Sequence, residues 1–146
     1  MKGDAVVRLK RATEHGLLTL LFLTHTSKSM ARRGEYVKTR DISLQCNISY
    51  EHLTKIISIL GRAGLLRTHA GREGGVQLLP LSHTVRVGDV VALFERPLVH
   101  PPMHYQLSGL DQLLDVALIS FFNTLNQVTI KQLADDLPPH FFLDIS

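Results

Sequence analysis

The chain has 146 residues, with 16 Lys+Arg against 13 Asp+Glu and a formal net charge of +3. At 45% hydrophobic and 20% charged residues it has a globular rather than a disordered composition, and its length suits one compact domain with an added arm. No apolar run approaches the roughly 20 residues of a membrane crossing, no secretory signal follows Met1-Lys2-Gly3-Asp4, and a single cysteine, Cys46, excludes an internal disulfide and a four-cysteine metal site within one chain. These features predict a soluble, cytoplasmic protein.

Charge is unevenly spread. Residues 1–75 hold 13 basic and 6 acidic side chains, whereas residues 76–146 hold 3 and 7. Such asymmetry suits a polyanion on one face and a different partner on another.

From Leu9 to His25 the residues Leu9, Ala12, Gly16, Leu17, Leu20, Leu21 and Leu23 recur at helical spacing and predict a helix with one broad buried face. Thr26 to Lys38, with Lys28, Arg32, Arg33 and Gly34, reads as an exposed basic loop. A short helix follows, with Thr39 as N-cap and Ile42, Leu44 and Cys46 as its apolar positions; Asn47 can close it in the left-handed conformation. Ser49 then caps a second helix, and Leu53, Ile56, Ile57 and Leu60 form an i, i+3, i+4, i+7 stripe that must face a core. Helix, tight turn and striped second helix are the helix-turn-helix pattern.

Leu65 to Thr68 and Val76 to Leu79 predict two strands joined by Ala70-Gly71-Arg72-Glu73-Gly74-Gly75, whose glycines supply the positive φ that a hairpin turn needs. A hairpin directly after a recognition helix is the wing of a winged-helix domain. Val85, Val87, Val90, Val91, Leu93 and Phe94 carry a strand end and a short helix beginning near Gly88. Three prolines between Pro97 and Pro102 exclude regular helix there. Helical periodicity resumes after Ser108 with Leu110, Leu113, Leu114, Ala117, Leu118, Phe121, Phe122 and Leu125, a face too wide for a lone helix to bury. Thr129 caps a last short helix that runs to Leu137 and ends at Pro138-Pro139. The division expected is a winged helix-turn-helix at 1–95, a Pro/His-containing loop at 96–108, a dimerisation helix with a short terminal helix at 109–137, and a tail at 138–146. The fold class is mainly α with a small β-hairpin wing.

Four segments in this order resemble the IscR/NsrR group of bacterial winged-helix repressors, the Rrf-two family. They are Thr13-Glu14-His15, the wing Ala70-Gly71-Arg72-Glu73-Gly74-Gly75-Val76-Gln77-Leu78, the block Val85-Arg86-Val87-Gly88-Asp89-Val90-Val91, and Thr129-Ile130-Lys131-Gln132-Leu133. The likeness covers roughly residues 8 to 137. It implies a homodimeric repressor that binds operator DNA, its long C-terminal helix crossing the partner's copy, with Leu110, Leu113, Leu114, Ala117, Leu118, Phe121, Phe122 and Leu125 in the interface. Many members of the family hold an iron–sulfur cluster on three cysteines in the loop before that helix. Here the loop has none, and Ser108 stands near the place of the third. Thiolates suit sulfide-bridged iron, so no cofactor is expected. The alternative is a metal- or iron–sulfur-sensing regulator. Its ligands would be Glu14, at the family's N-terminal carboxylate position, Cys46, where one relative has a histidine ligand, and His100 with His104, four residues apart in the loop.

For DNA reading, Ser49, Tyr50, Glu51, His52 and Lys55 lie opposite the buried stripe, at the end of the recognition helix that enters a major groove. Ser49 and the helix N-terminus suit a phosphate; Lys55 can reach a phosphate or a guanine edge, and Tyr50 and His52 a base or sugar. Thr39 and Arg40 would touch backbone, and Arg72 at the wing tip a narrow minor groove. No hydrolase elbow, phosphate loop or zinc-protease motif is present, and the eight histidines show no metal-ligand spacing beyond His100/His104, so catalysis is not expected. A winged-helix module that binds protein is the remaining alternative, opposed by the polar recognition face.

Overall fold

The computed structural model describes residues 8–29, 36–95 and 108–145. Its elements in order are α1 (Arg11–Ser29), α2 (Thr39–Cys46), α3 (Tyr50–Arg62), β1 (Leu66–His69), β2 (Gly75–Leu78), a single 3-10 turn at Pro80–His83, α4 (Val87–Glu95), α5 (Ser108–Leu125), α6 (Ile130–Asp135) and α7 (Phe141–Ile145). Mostly helical with a two-stranded antiparallel hairpin, it has the winged helix-turn-helix fold expected.

The core is built around α1. Leu20, Ile42, Leu53, Ile56, Leu60, Leu65, Val76, Val90, Val91 and Ile130 are fully buried, so α1, α2, α3, the wing, α4 and α6 share one apolar centre. α1 runs on to Ser29, through residues expected to be loop. Its buried threonines make that burial tolerable by donating to the preceding turn: Thr19 Oγ1 to the His15 carbonyl and Thr24 Oγ1 to that of Leu20, both at 2.7 Å. The start of α1 is held from outside the helix. Glu95 Oε1, at the end of α4, accepts from the Lys10 amide (2.6 Å) and from Thr13 Oγ1 (2.7 Å).

The helix-turn-helix follows the expectation closely. Asn47 closes α2 at φ 52°, ψ 46°, and Ser49 Oγ caps α3 by accepting from the His52 amide at 3.3 Å. Two details of α2 differ. Thr39 is its first residue rather than its cap, which is Lys38, and Leu44 points outward at 63% exposure because only Ile42 and Cys46 fall on the buried side of so short a helix.

In the wing, Leu66 pairs with Leu78 and His69 with Gly75. Val37 adds a third edge, exchanging both 2.8 Å backbone hydrogen bonds with Val76. The predicted basic loop is therefore helix up to Ser29 and sheet edge at Val37; Arg32, Arg33 and Gly34 lie outside the described residues. Gly75 has φ 155°, and a Cβ there would strike the Val37 carbonyl.

The predicted strand end before α4 is a single bridge, Arg86 to Thr129, flanked by Val87 N to Val128 O and Ile130 N to Val85 O at 3.0 Å. Thr129 and Gln132 form a reciprocal capping box, which starts α6. That helix buries Ile130 and Ala134 in the α1-centred core, against which the C-terminal end of α5 also packs. The stretch read as a tail is also ordered: α7 buries Phe142 against Phe22 (ring centroids 5.2 Å) and packs on α2. Two prolines end α6 but leave the aromatic pair Phe141-Phe142 free to return to the core.

Gly75→Ala is expected to destabilise the fold by about 2 kcal/mol, within the usual range for forced overpacking, and to lower the thermal unfolding midpoint. An unchanged midpoint would show that the Val37–Val76 edge contributes nothing.

Candidate nucleic-acid interface

The stripe on α3 decides what its other face can do. With Leu53, Ile56, Ile57 and Leu60 buried, Ser49, Tyr50, Glu51, Thr54 and Lys55 are left exposed at the helix's N-terminal end. The expected contact residues Ser49, Tyr50, Glu51 and Lys55 thus come together on one surface, and Tyr50 is 60% exposed. Lys55 Nζ lies 3.3 Å from Glu51 Oε1, both side chains largely in solvent. So exposed a pair is weak and can exchange its carboxylate for a phosphate.

Arg40 is exposed and Thr39 half-buried at the start of α2. Arg72 sits in the exposed turn of the wing, and Arg67 is exposed on β1, a basic residue of the hairpin that sequence reasoning did not single out.

His52 differs from the expectation. Its ring is half-buried, meeting the His15 ring of α1 edge to face at a centroid distance of 5.0 Å and an interplanar angle of 76°. His52 Nε2 and His15 Nδ1 are both enclosed without a hydrogen-bond partner. Burial lowers the His15 pKa below its ordinary value, helped by His52 and Arg11 and opposed by Glu14. Nothing in the local sequence announces this contact: the two residues lie in different helices, and only the fold joins them.

The two metal-ligand candidates among the described residues, Glu14 and Cys46, do not converge. Glu14 is exposed in the first turn of α1, while Cys46 is 3% exposed in the core, its thiol pushed up to about 12 by burial. His100 and His104 lie outside the described residues, and among the described residues no three His, Cys, Asp or Glu side chains are placed to hold a metal ion. One inward-facing thiol does not fit an iron–sulfur cluster, whose irons are held chiefly by thiolates.

On α5, Phe121, Phe122 and Leu125 pack against the core of their own chain. Leu114 and Leu118 are half-buried. Leu110, Leu113, Ala117 and two residues missed from the sequence, Val116 and Ile119, are exposed. The apolar face is therefore divided between the chain's own core and solvent.

Recognition helix, hairpin wing and basic exposed residues define a winged-helix DNA-binding regulator. Residues 9–136 match the family model described as Rrf2, iron-dependent transcriptional regulator, and the chain belongs to that family. It is similar to the HTH-type transcriptional regulator NsrR of Bacillus licheniformis, 30% identical over 136 residues, covering 87% of this chain and 92% of that one. In fold it is similar to CymR, the global cysteine regulator of B. subtilis (TM-score 0.70, 19% identity, 91% of this chain and 100% of that one). It is likewise similar to T. potens IscR (TM-score 0.71, 18% identity, 92% and 90%). The role of the chain is regulatory rather than enzymatic. No helix among the described residues is long and apolar enough to cross a membrane.

Two measurements probe the buried groups. Burial pushes the Cys46 thiol up to about 12 and keeps it in the unreactive protonated form near pH 8, so a disulfide reagent is expected to modify Cys46 far more slowly in the folded than in the unfolded chain. Equal rates would contradict its burial. The unfolded chain takes up a proton on His15 near the ordinary value of 6.5, and the folded one only at lower pH. The stability from neutral His15 is therefore full above that value and lost as pH falls below it. The thermal midpoint should drop between about pH 7.5 and pH 5.5, and less so in His15→Phe.

Proposed function

We propose that this regulator is a homodimeric, sequence-specific repressor that reads double-stranded operator DNA with the N-terminal end of α3 and steadies itself through the wing. The observation that carries the reading is the division of α3 into a fully buried stripe and an exposed polar face, on a helix directly followed by a hairpin bearing Arg67 and Arg72. Ser49, Tyr50, Glu51 and Lys55 would contact base edges, sugar or phosphate in the major groove, and Thr39 and Arg40 the phosphate backbone. Arg72 would approach the minor groove. The repressor sign follows the family resemblance.

The homodimer is supported by the exposed part of α5. Leu113, Val116 and Ile119 are each about 60% exposed in the isolated chain, an arrangement that a two-fold partner would bury. Binding is proposed to need no iron–sulfur cluster, because the chain's one cysteine points into the core. Elemental and sulfide analysis on protein purified without oxygen checks this. Stoichiometric iron with sulfide would overturn it and direct attention to Glu14, His100 and His104.

Neutralising Lys55 and Arg72 together is expected to weaken DNA affinity at least about tenfold and to flatten its salt dependence, since fewer counterions are then released. Intact affinity would sink the DNA reading. Introducing Leu113→Asp with Val116→Asp is expected to give a folded monomer in sedimentation, with specific binding lost. A sedimenting dimer would move the interface elsewhere.

A further inference from the structure

We infer that His15 is a positioning residue for DNA reading: the edge of its ring orients His52 and, through it, the first turn of the recognition helix. The inference rests on the proposed DNA-reading role of α3. Every other polar residue of the α3 first turn, Tyr50 and Glu51 included, is exposed, whereas His52 turns inward and meets His15 at 5.0 Å. Its backbone amide is held by Ser49 Oγ at 3.3 Å. Residue 52 is thus fixed at two points, the amide by the cap and the ring by α1, and those two points define the orientation of the turn presented to a groove.

The contact acts through packing and not through a hydrogen bond, because His15 Nδ1 and His52 Nε2 are both enclosed and unpartnered. The support behind His15 is firm: the helix carrying it is anchored at its start by Glu95 and lined below by the fully buried Leu20. Two imidazoles alone are too few donors for a bound transition metal, and no third His, Cys, Asp or Glu joins them among the described residues. What the pair supplies is a fixed angle between α1 and the reading end of α3. A groove contact tolerates little misplacement, so the cost of losing that angle should fall on specific binding.

The test begins with selection of a preferred duplex by the full-length wild-type chain from randomised double-stranded oligonucleotides. Anisotropy titrations then compare the selected and a scrambled duplex for wild type, His15→Ala and His15→Phe. His15→Ala is expected to lose about tenfold on the selected duplex, a change of about 1.4 kcal/mol, and less than about twofold on the scrambled one. His15→Phe, which keeps an aromatic edge, should recover most of the difference. The proton shifts of the His52 ring should move in His15→Ala and return towards wild type in His15→Phe. If His15→Ala fails to fold by circular dichroism, His15→Gln takes its place. An unchanged ratio between duplexes, an equal loss on both, or a His15→Phe variant no better than His15→Ala would overturn the inference while leaving DNA reading intact. A wild-type chain that selects no sequence would remove the DNA reading itself, and this inference with it.

Discussion

The carboxylate of Glu95 holds the two ends of the DNA-binding unit together. It reaches across 85 positions of sequence to accept from the Lys10 amide and across 82 to accept from Thr13 Oγ1. A carboxylate that is only 7% exposed is costly to bury, and the two donors offset that cost. In return it satisfies an orphan amide at the start of α1, the helix against which α2, α3, α4, α6 and the wing all pack. Were α1 to slide or fray, each of those elements would lose part of its seat. The recognition helix has no independent footing: its stripe is buried against α1, α2 and the wing.

The helix-turn-helix was largely legible in the sequence because its signals are local. The spacing of Leu53, Ile56, Ile57 and Leu60, the cap at Ser49 and the left-handed closure at Asn47 each rest on a few neighbouring residues and one physical requirement. The wing was legible for the same reason, through glycines that the turn cannot replace. What escaped was non-local. Val37 joins β2 from a stretch with no strand pattern, because a pairing partner, not propensity, makes it a sheet edge. Helix α7 follows two prolines and is too short to announce itself by period; the burial of Phe142 against Phe22 sustains it.

The candidate site shows the same division. Exposed residues that need only face outward, Ser49, Tyr50, Glu51, Lys55 and Arg72, lie where the sequence implied. His52 does not, since an imidazole suits either a groove or a packed contact and its partner was distant in sequence. On α5 the apolar pattern revealed that the face was too wide but not how it is shared. Phe121, Phe122 and Leu125 turn to the chain's own core, and Val116 and Ile119 to solvent.

That sharing has a mechanical consequence. The C-terminal end of α5 is clamped where Arg86 Nη1 donates to the Asn126 carbonyl at 2.8 Å and where Val87 and Ile130 stitch the following turn to α4. Helix α5 is thus tied at that end to the winged-helix unit by backbone as well as side-chain hydrogen bonds. In the proposed homodimer, two reading heads joined through α5 helices tied in this way would hold a set separation along the duplex. Inserting or removing even one base pair between half-sites would then both shift and rotate the second head relative to its groove, so the spacing of the half-sites would matter as much as their sequence.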